Sequence, residues 1–250
     1  MHILASKVAL ITGGAKGIGK AVALKLASEG ADIAIVYYSS SEEAESLVKQ
    51  IQALGRRAIA MQANVADHAS VKEMFGQFTM HFDRLDILVS NAASGVLKPA
   101  LNMSTKHWRW CMETNALALN HLVTEAQPLL KSGGRVIALS SLGAQRAIPN
   151  YAFIGASKAA LEALVRSLSI ELAPMGVTVN AVSAGVVDTD ALKYFPNREH
   201  LLAEYQAHAL SDRPLSTEDV ANAVYLLCLP EADMIRGHTL FVDAGYSVVG

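Results

Sequence analysis

A chain of 250 residues, 52% of them hydrophobic and with a formal net charge of −2, suits one large α/β domain or two small ones. That near-neutral balance gives no electrostatic footprint for nucleic acid or an anionic membrane surface, and no apolar run approaches the ~18 residues of a membrane-spanning helix. The eight histidines are scattered, without HExxH or any clustered pattern, so no metal is expected. Cys111 and Cys228 show neither redox nor metal spacing and read as buried reduced thiols, which suits the cytoplasm.

Met1 to Leu10 is apolar enough for a short signal peptide, but it leads straight into a glycine loop and is read as the first strand. Lys7 to Thr12 is that strand, and the loop turns it into a helix running to about Ser28. The strand Asp32 to Tyr37, the helix Ser41 to Leu54, the strand Arg57 to Gln62 and the helix Asp67 to Phe82 follow. Leu85 to Ser90 is a strand, Ser104 to Leu130 a long helical stretch, and Arg135 to Ser140 another strand. A central helix ends near Pro174, and Val177 to Val182 is again extended. A helix from Thr217 to Cys228 and a closing strand from Thr239 to Val242 complete the chain. Strands alternate with helices and are uniformly apolar, as in a parallel sheet covered on both faces. With no linker, repeat or low-complexity tract, residues 1–250 are expected to form one Rossmann-type, doubly wound α/β domain.

Only Val187 to Pro214 breaks the rhythm. An insertion beyond the C-terminal end of a strand is placed either as a substrate lid or as a structural excursion.

Thr12-Gly-Gly-Ala-Lys-Gly-Ile-Gly19 follows a buried strand and opens a helix. Gly13, Gly17 and Gly19 permit positive φ and close backbone approach, while the helix N-terminus, with Lys16 and Ile18, presents N–H groups to a pyrophosphate. The second strand ends in Val36-Tyr-Tyr-Ser-Ser-Ser41, with no carboxylate before Glu42. NAD-selective sites place an acid there for the ribose hydroxyls. Its absence, with Lys16 in the loop, favours NADP(H); the alternative is that Lys16 is a solvated loop residue.

Tyr151 stands seven residues before Lys158 on the central helix. Seven steps of about 100° come to roughly 700°, about 20° short of two turns, so phenol and ammonium can share a face. A neighbouring positive charge is expected to lower the phenol from its reference value of about 10 and make it a workable proton donor. The alternative is a phenol merely packed among Phe153 and Ile154.

These pieces together resemble the short-chain dehydrogenase/reductase family over essentially the whole chain. The matching residues are the glycine loop, Asn64-Val65, Asn91-Ala-Ala, Asn115, Ser140-Ser141, Lys158 and Val242-Asp-Ala-Gly245. The resemblance implies that Asn64 and Val65 flank an adenine, Asn91 the ribose and nicotinamide side, and Lys158 the nicotinamide ribose. It gives Asn115 the ordering of a water or backbone near Lys158. Most of the family has Tyr-x3-Lys, but here Ile154 stands at that tyrosine position. Tyr-x6-Lys resembles the enoyl-[acyl-carrier-protein] reductase branch, type III. That likeness implies NADPH-dependent reduction of trans-2-enoyl thioesters on an acyl carrier protein or coenzyme A in acyl-chain synthesis. It also implies a homotetramer built through the long helices and the last strand.

The chemistry implied assigns proton donation to Tyr151 and cationic support to Lys158. Ser141, thirteen residues before Ile154, is either a catalytic partner or a structural hydroxyl. Tyr194 and Phe195 are read as channel lining or hydrophobic closure, and Arg198 and Lys193 as contacts to an acidic carrier or solvated charge. A keto- or hydroxy-reductase using Tyr151, and a catalytically weak nucleotide-binding protein, remain the competing readings.

Overall fold

The computed structural model describes residues 2–194 and 198–249. Seven strands, β1 (Val8–Thr12), β2 (Asp32–Tyr37), β3 (Ala58–Gln62), β4 (Leu85–Ser90), β5 (Leu130–Ser141), β6 (Thr178–Ala184) and β7 (Thr239–Val242), form one sheet. Their spatial order is β3-β2-β1-β4-β5-β6-β7 and every pairing is parallel. The chain leaves β3 and returns on the other side of β1, so the strand order reverses between β1 and β4. A crevice opens beyond the strand ends at such a reversal.

Helices α1 (Gly17–Ser28), α2 (Ser41–Ala53) and α8 (Thr217–Cys228) cover one face of the sheet. There Val22, Leu26, Leu47, Ile51 and Val224 pack on Ala9, Ile11, Ile33 and Ile35. Helices α3 (His68–Thr79), α5 (Ala118–Ala126) and α6 (Ala152–Leu172) cover the other, where Met74, Phe78, Leu122, Leu161 and Val165 pack on Val8, Leu10, Leu88 and Val136. Successive residues of β1 thus serve opposite faces, the two-residue period of a strand buried on both sides. Cys111 and Cys228 are buried free thiols, and burial pushes Cys228 up to about 12. Among the described residues no helix is long and apolar enough to cross a membrane.

The single helical stretch expected from Ser104 to Leu130 is corrected. It comprises α4 (Thr105–Met112), a π-helical turn at Glu113–Leu117, and α5 ending at Ala126. Leu130 already belongs to β5. Pro128, which lacks an N–H and disfavours helical geometry in the residue before it, stops α5 there. The helix expected to reach Phe82 ends at Thr79.

Between β6 and α8 lie a short 3₁₀ turn, Asp190–Tyr194, and α7 (Arg198–His208). Arg198 binds Asp188 through both carboxylate oxygens at 2.6 Å, and Lys193 pairs with Asp190 at 2.5 Å. Tyr205 of α7 is buried with its ring stacked on Tyr246, the centroids 4.9 Å apart. Arg146, in the loop after β5, donates to the carbonyl of Ser247. The last residues therefore touch both the insertion and the β5 loop.

Candidate active site

The crevice at the strand reversal holds a cavity of about 1560 Å³. Lys16, Gly17 and Ile18 line one end with Tyr37 to Ser40 and Asn64 to Ala66; Ser141, Tyr151 and Lys158 line it farther along. Val187, Thr189 and Leu192 of the insertion line it too.

The glycine loop is shaped by contact. Gly13 and Gly17 have φ of 62° and 51°, in the left-handed region that favours glycine. A Cβ on Gly13 would lie 3.0 Å from both Ala92 Cα and Asn91 Nδ2. Asn91 donates from that nitrogen to the carbonyls of Thr12 at 2.9 Å and Gly13 at 3.1 Å, and its own N–H donates to Thr12 Oγ1. It therefore fixes the loop to the end of β4 as well as lining the cavity. Gly19 does not line the cavity; a Cβ there would stand 2.3 Å from the Gly13 carbonyl, so this glycine permits helix and loop to pack. Lys16 precedes α1 and no side chain caps the helix there, which leaves first-turn N–H groups for an anion. A dinucleotide fits this volume and donor set. Asn64 and Val65 stand on the wall beyond β3, where Asn64 Oδ1 accepts from Ala66 N–H at 3.2 Å.

Lys158 is buried on α6, its ammonium donating to the Leu139 carbonyl at 2.6 Å. Burial lowers its pKa to about 8, while the negative field of Glu162 pulls the other way. Glu162 lies one turn beyond Lys158, its only signal in the sequence. This buried carboxylate accepts from Ser140 Oγ at 2.6 Å and from Gln145 Nε2 at 3.4 Å. Glu162→Gln removes the charge that holds the ammonium up. The alkaline limb of activity should then move to lower pH by about one unit, the equivalent of roughly 1.4 kcal/mol. An unchanged pH profile for NADPH oxidation would leave Glu162 only a packing role.

Tyr151 precedes the first residue of α6 and shares the cavity with Lys158. The expected lowering of its phenol is corrected. Burial, the largest influence, pushes it up, and a hydrogen bond with Ser141 lowers it in part. The phenol is thus held protonated, as a hydrogen-bond donor. Its ring lies on Gly143, where a Cβ would come within 2.6 Å of ring carbons Cδ1 and Cε1. Gly155 presses on the carbonyl of the same glycine from the helix side, its own would-be Cβ 2.5 Å away. Ser141 also accepts from Gly143 N–H at 3.3 Å, so this hydroxyl both braces the loop and touches the phenol.

Ile154 faces a different wall: a Cβ on Gly95 would lie 2.4 Å from its Cγ1. Asn115, in the π turn, accepts from Ser94 N–H at 2.8 Å and donates to Ser94 O at 2.8 Å and Ser157 Oγ at 2.9 Å. It ties the loop after β4 to α6 beside Lys158, a backbone-ordering role. The extra residue of a π turn re-aims side chains in this way and is common at functional sites.

Arg198 and Lys193 are held by carboxylates of the insertion itself. The channel-lining reading of Tyr194 and Phe195 falls outside the described residues and side chains. Among the described residues no group of three or more His, Cys, Asp or Glu could hold a metal ion.

A family model described as enoyl-(acyl carrier protein) reductase matches residues 13–247. A 1-cyclohexenylcarbonyl-CoA reductase of Streptomyces collinus is 35% identical over 245 residues, covering 97% of this chain and 88% of that protein. A hydroxynaphthalene reductase of Aspergillus fumigatus is also 35% identical over 245 residues, covering 94% and 90%. Among solved structures, a short-chain dehydrogenase of Burkholderia cenocepacia in complex with NADP superposes with a TM-score of 0.91 at 35% identity, covering 98% of this chain and 99% of that one. A blue fluorescent protein from a metagenomic library, in complex with NADPH, gives 0.90 at 33% identity, with the same coverage.

Proposed function

Because the chain belongs to the short-chain dehydrogenase/reductase family, we propose that it is an NADPH-dependent reductase of the 2,3 double bond of trans-2-enoyl thioesters. The observation that carries this reading is the placement of Tyr151. Its protonated phenol faces the cavity that also holds Lys158, while Ile154 occupies the position of the family's usual acid. The likeness to a reductase whose name gives a CoA thioester supports the substrate class. NADP and NADPH in the solved relatives support the cofactor.

Gly13, Lys16, Gly17, Ile18, Asn64, Val65, Asn91 and Lys158 would hold the dinucleotide, with Gly19 allowing the loop its shape. When bound, NADPH supplies the hydride. The chain's task is to receive the charge that gathers on the thioester oxygen. Tyr151 donates its O–H to that oxygen, and the proton is available there because burial holds the phenol neutral. Ser141 keeps the phenol oriented. The Lys158 ammonium stabilises negative charge developing on Tyr151, and it loses that charge as pH rises through about 8. The α-carbon takes its proton from solvent. The carrier is an acyl carrier protein or coenzyme A, the setting acyl-chain synthesis in the cytoplasm, and the assembly a homotetramer.

A carbonyl reductase is the second reading, favoured by the Ser141–Tyr151 hydrogen bond and by the hydroxynaphthalene reductase relative. NADPH oxidation with a trans-2-enoyl thioester and the matching 3-oxoacyl thioester decides between them. Turnover of the enoyl substrate alone is expected; preference for the oxo substrate would make the protein a ketoreductase. Nucleotide binding without reduction of either would favour a binding role.

A further inference from the structure

The sequence shows no carboxylate at the end of β2, yet the fold brings one to the cation of the glycine loop. Glu43, in the first turn of α2, reaches back to the glycine loop and pairs with Lys16 at 2.7 Å. Lys16 lines the cavity beside Tyr37 to Ser40. Both members of the pair are about half exposed, at 45% and 47%. Lys16 holds the Glu43 carboxyl below its ordinary range, chiefly through this hydrogen bond. From the insertion, Asp190 adds a second negative field on Lys16 and on Glu43, and is itself paired with Lys193 at 2.5 Å. The cation that makes this corner attractive to phosphate is therefore shared with acids from two other elements.

We propose that Glu43 is a specificity-determining residue that restrains the preference for a 2′-phosphorylated adenosine by competing for Lys16. The proposal rests on the reading of the cavity as a dinucleotide site. A 2′-phosphate brings up to about two negative charges and three acceptor oxygens to a corner whose ammonium Glu43 already holds. It must share or displace that partner and meets the repulsion of the carboxylate. A 2′-hydroxyl is a donor that a carboxylate accepts, the arrangement by which NAD-selective sites hold the ribose. Glu43 thus penalises the phosphate and tolerates the hydroxyl. Because the pair is half exposed, salt should weaken its influence.

Calorimetric titration with 2′,5′-ADP and with 5′-ADP, at low and at high salt, tests this on the full chain and on Glu43→Gln. The variant should bind 2′,5′-ADP roughly five- to tenfold more tightly at low salt, the scale of one screened unit charge near the ligand. Its affinity for 5′-ADP should stay within about twofold, and the gain should shrink at high salt. The same shift should appear as a higher NADPH-over-NADH preference. Equal changes for both ligands, or no change for 2′,5′-ADP, would overturn the role of Glu43 while leaving the nucleotide site standing. Binding of neither ligand would overturn the site and the proposal together. An unchanged melting temperature shows that the variant folds.

Discussion

Tyr151→Phe should lower turnover of the proposed enoyl thioester substrate by about 10²- to 10⁴-fold, the range for losing a positioned proton donor. The change is narrow. Phenylalanine keeps the ring that lies on Gly143 and removes only the hydroxyl that faces the cavity and meets Ser141. The glycine loop and Asn91 hold each other through the bonds to Thr12 and Gly13, and Asn64 binds Ala66 N–H. NADPH affinity, followed by the quenching or enhancement of nucleotide fluorescence, should therefore be nearly unaltered. Because the lost interaction strengthens as charge develops, the loss should fall on kcat far more than on KM. A variant that keeps wild-type kcat would place the proton donor elsewhere. Loss of NADPH binding would instead mean that Tyr151 holds the cofactor, and the division of roles along the cavity would have to be redrawn.

Gly143→Ala should cost about a hundredfold in kcat although residue 143 contributes no reacting group. The backbone at Gly143 is not left-handed, so alanine meets no conformational penalty there, only a steric one. Its methyl would come within 2.6 Å of two Tyr151 ring carbons, well inside contact distance, and the ring must shift. The helix side offers no room, since Gly155 already presses on the Gly143 carbonyl. Displacement of a reacting group by about an ångström is worth roughly 10² in rate. Single-turnover kinetics, with melting temperature and nucleotide affinity as controls, separates this from general damage. If kcat is unchanged, the ring has another way to reach its working position and the glycine contact is incidental.

The parts of the fold that were legible are those with a local cause. Asp32–Tyr37, Leu85–Ser90, Thr217–Cys228 and Thr239–Val242 end where the sequence places them, because an apolar run meets a turn or a cap. Ser216, for instance, caps α8 by accepting from Asp219 N–H at 3.2 Å, with the Asp219 side chain returning the favour to the Ser216 backbone. The π turn at Glu113–Leu117 has no such local mark; the bonds from Asn115 to Ser94 and Ser157 show its use only once three elements are assembled.

The site divides in the same way. Spacing allowed Tyr151 and Lys158 to share a face, and both line the cavity, but it did not give the state of either group. That state depends on burial and on the Leu139 carbonyl, which comes from a strand 19 residues earlier. Lys16 was in view as a loop cation, but Glu43, inside the expected helix Ser41 to Leu54, was not. Their pairing depends on where β2 sets α2 down. The glycines at 143 and 155 carried no turn signature, because the first leaves space for an aromatic ring and the second for the Gly143 carbonyl, and neither bends the chain.

The last residues have a consequence for how this protein can change over generations. Tyr246 supports the insertion through Tyr205, and Ser247 supports the β5 loop through Arg146. Two borders of the reaction chamber are thus indexed to neighbouring positions in a short tail. A substitution at Tyr246 that shifts the adjoining backbone, and with it the Ser247 carbonyl, would bear on both borders, so the substrate range of descendants should vary as a correlated whole. Mutations in the insertion and in the β5 loop should accordingly show epistasis with one another although their side chains need never meet.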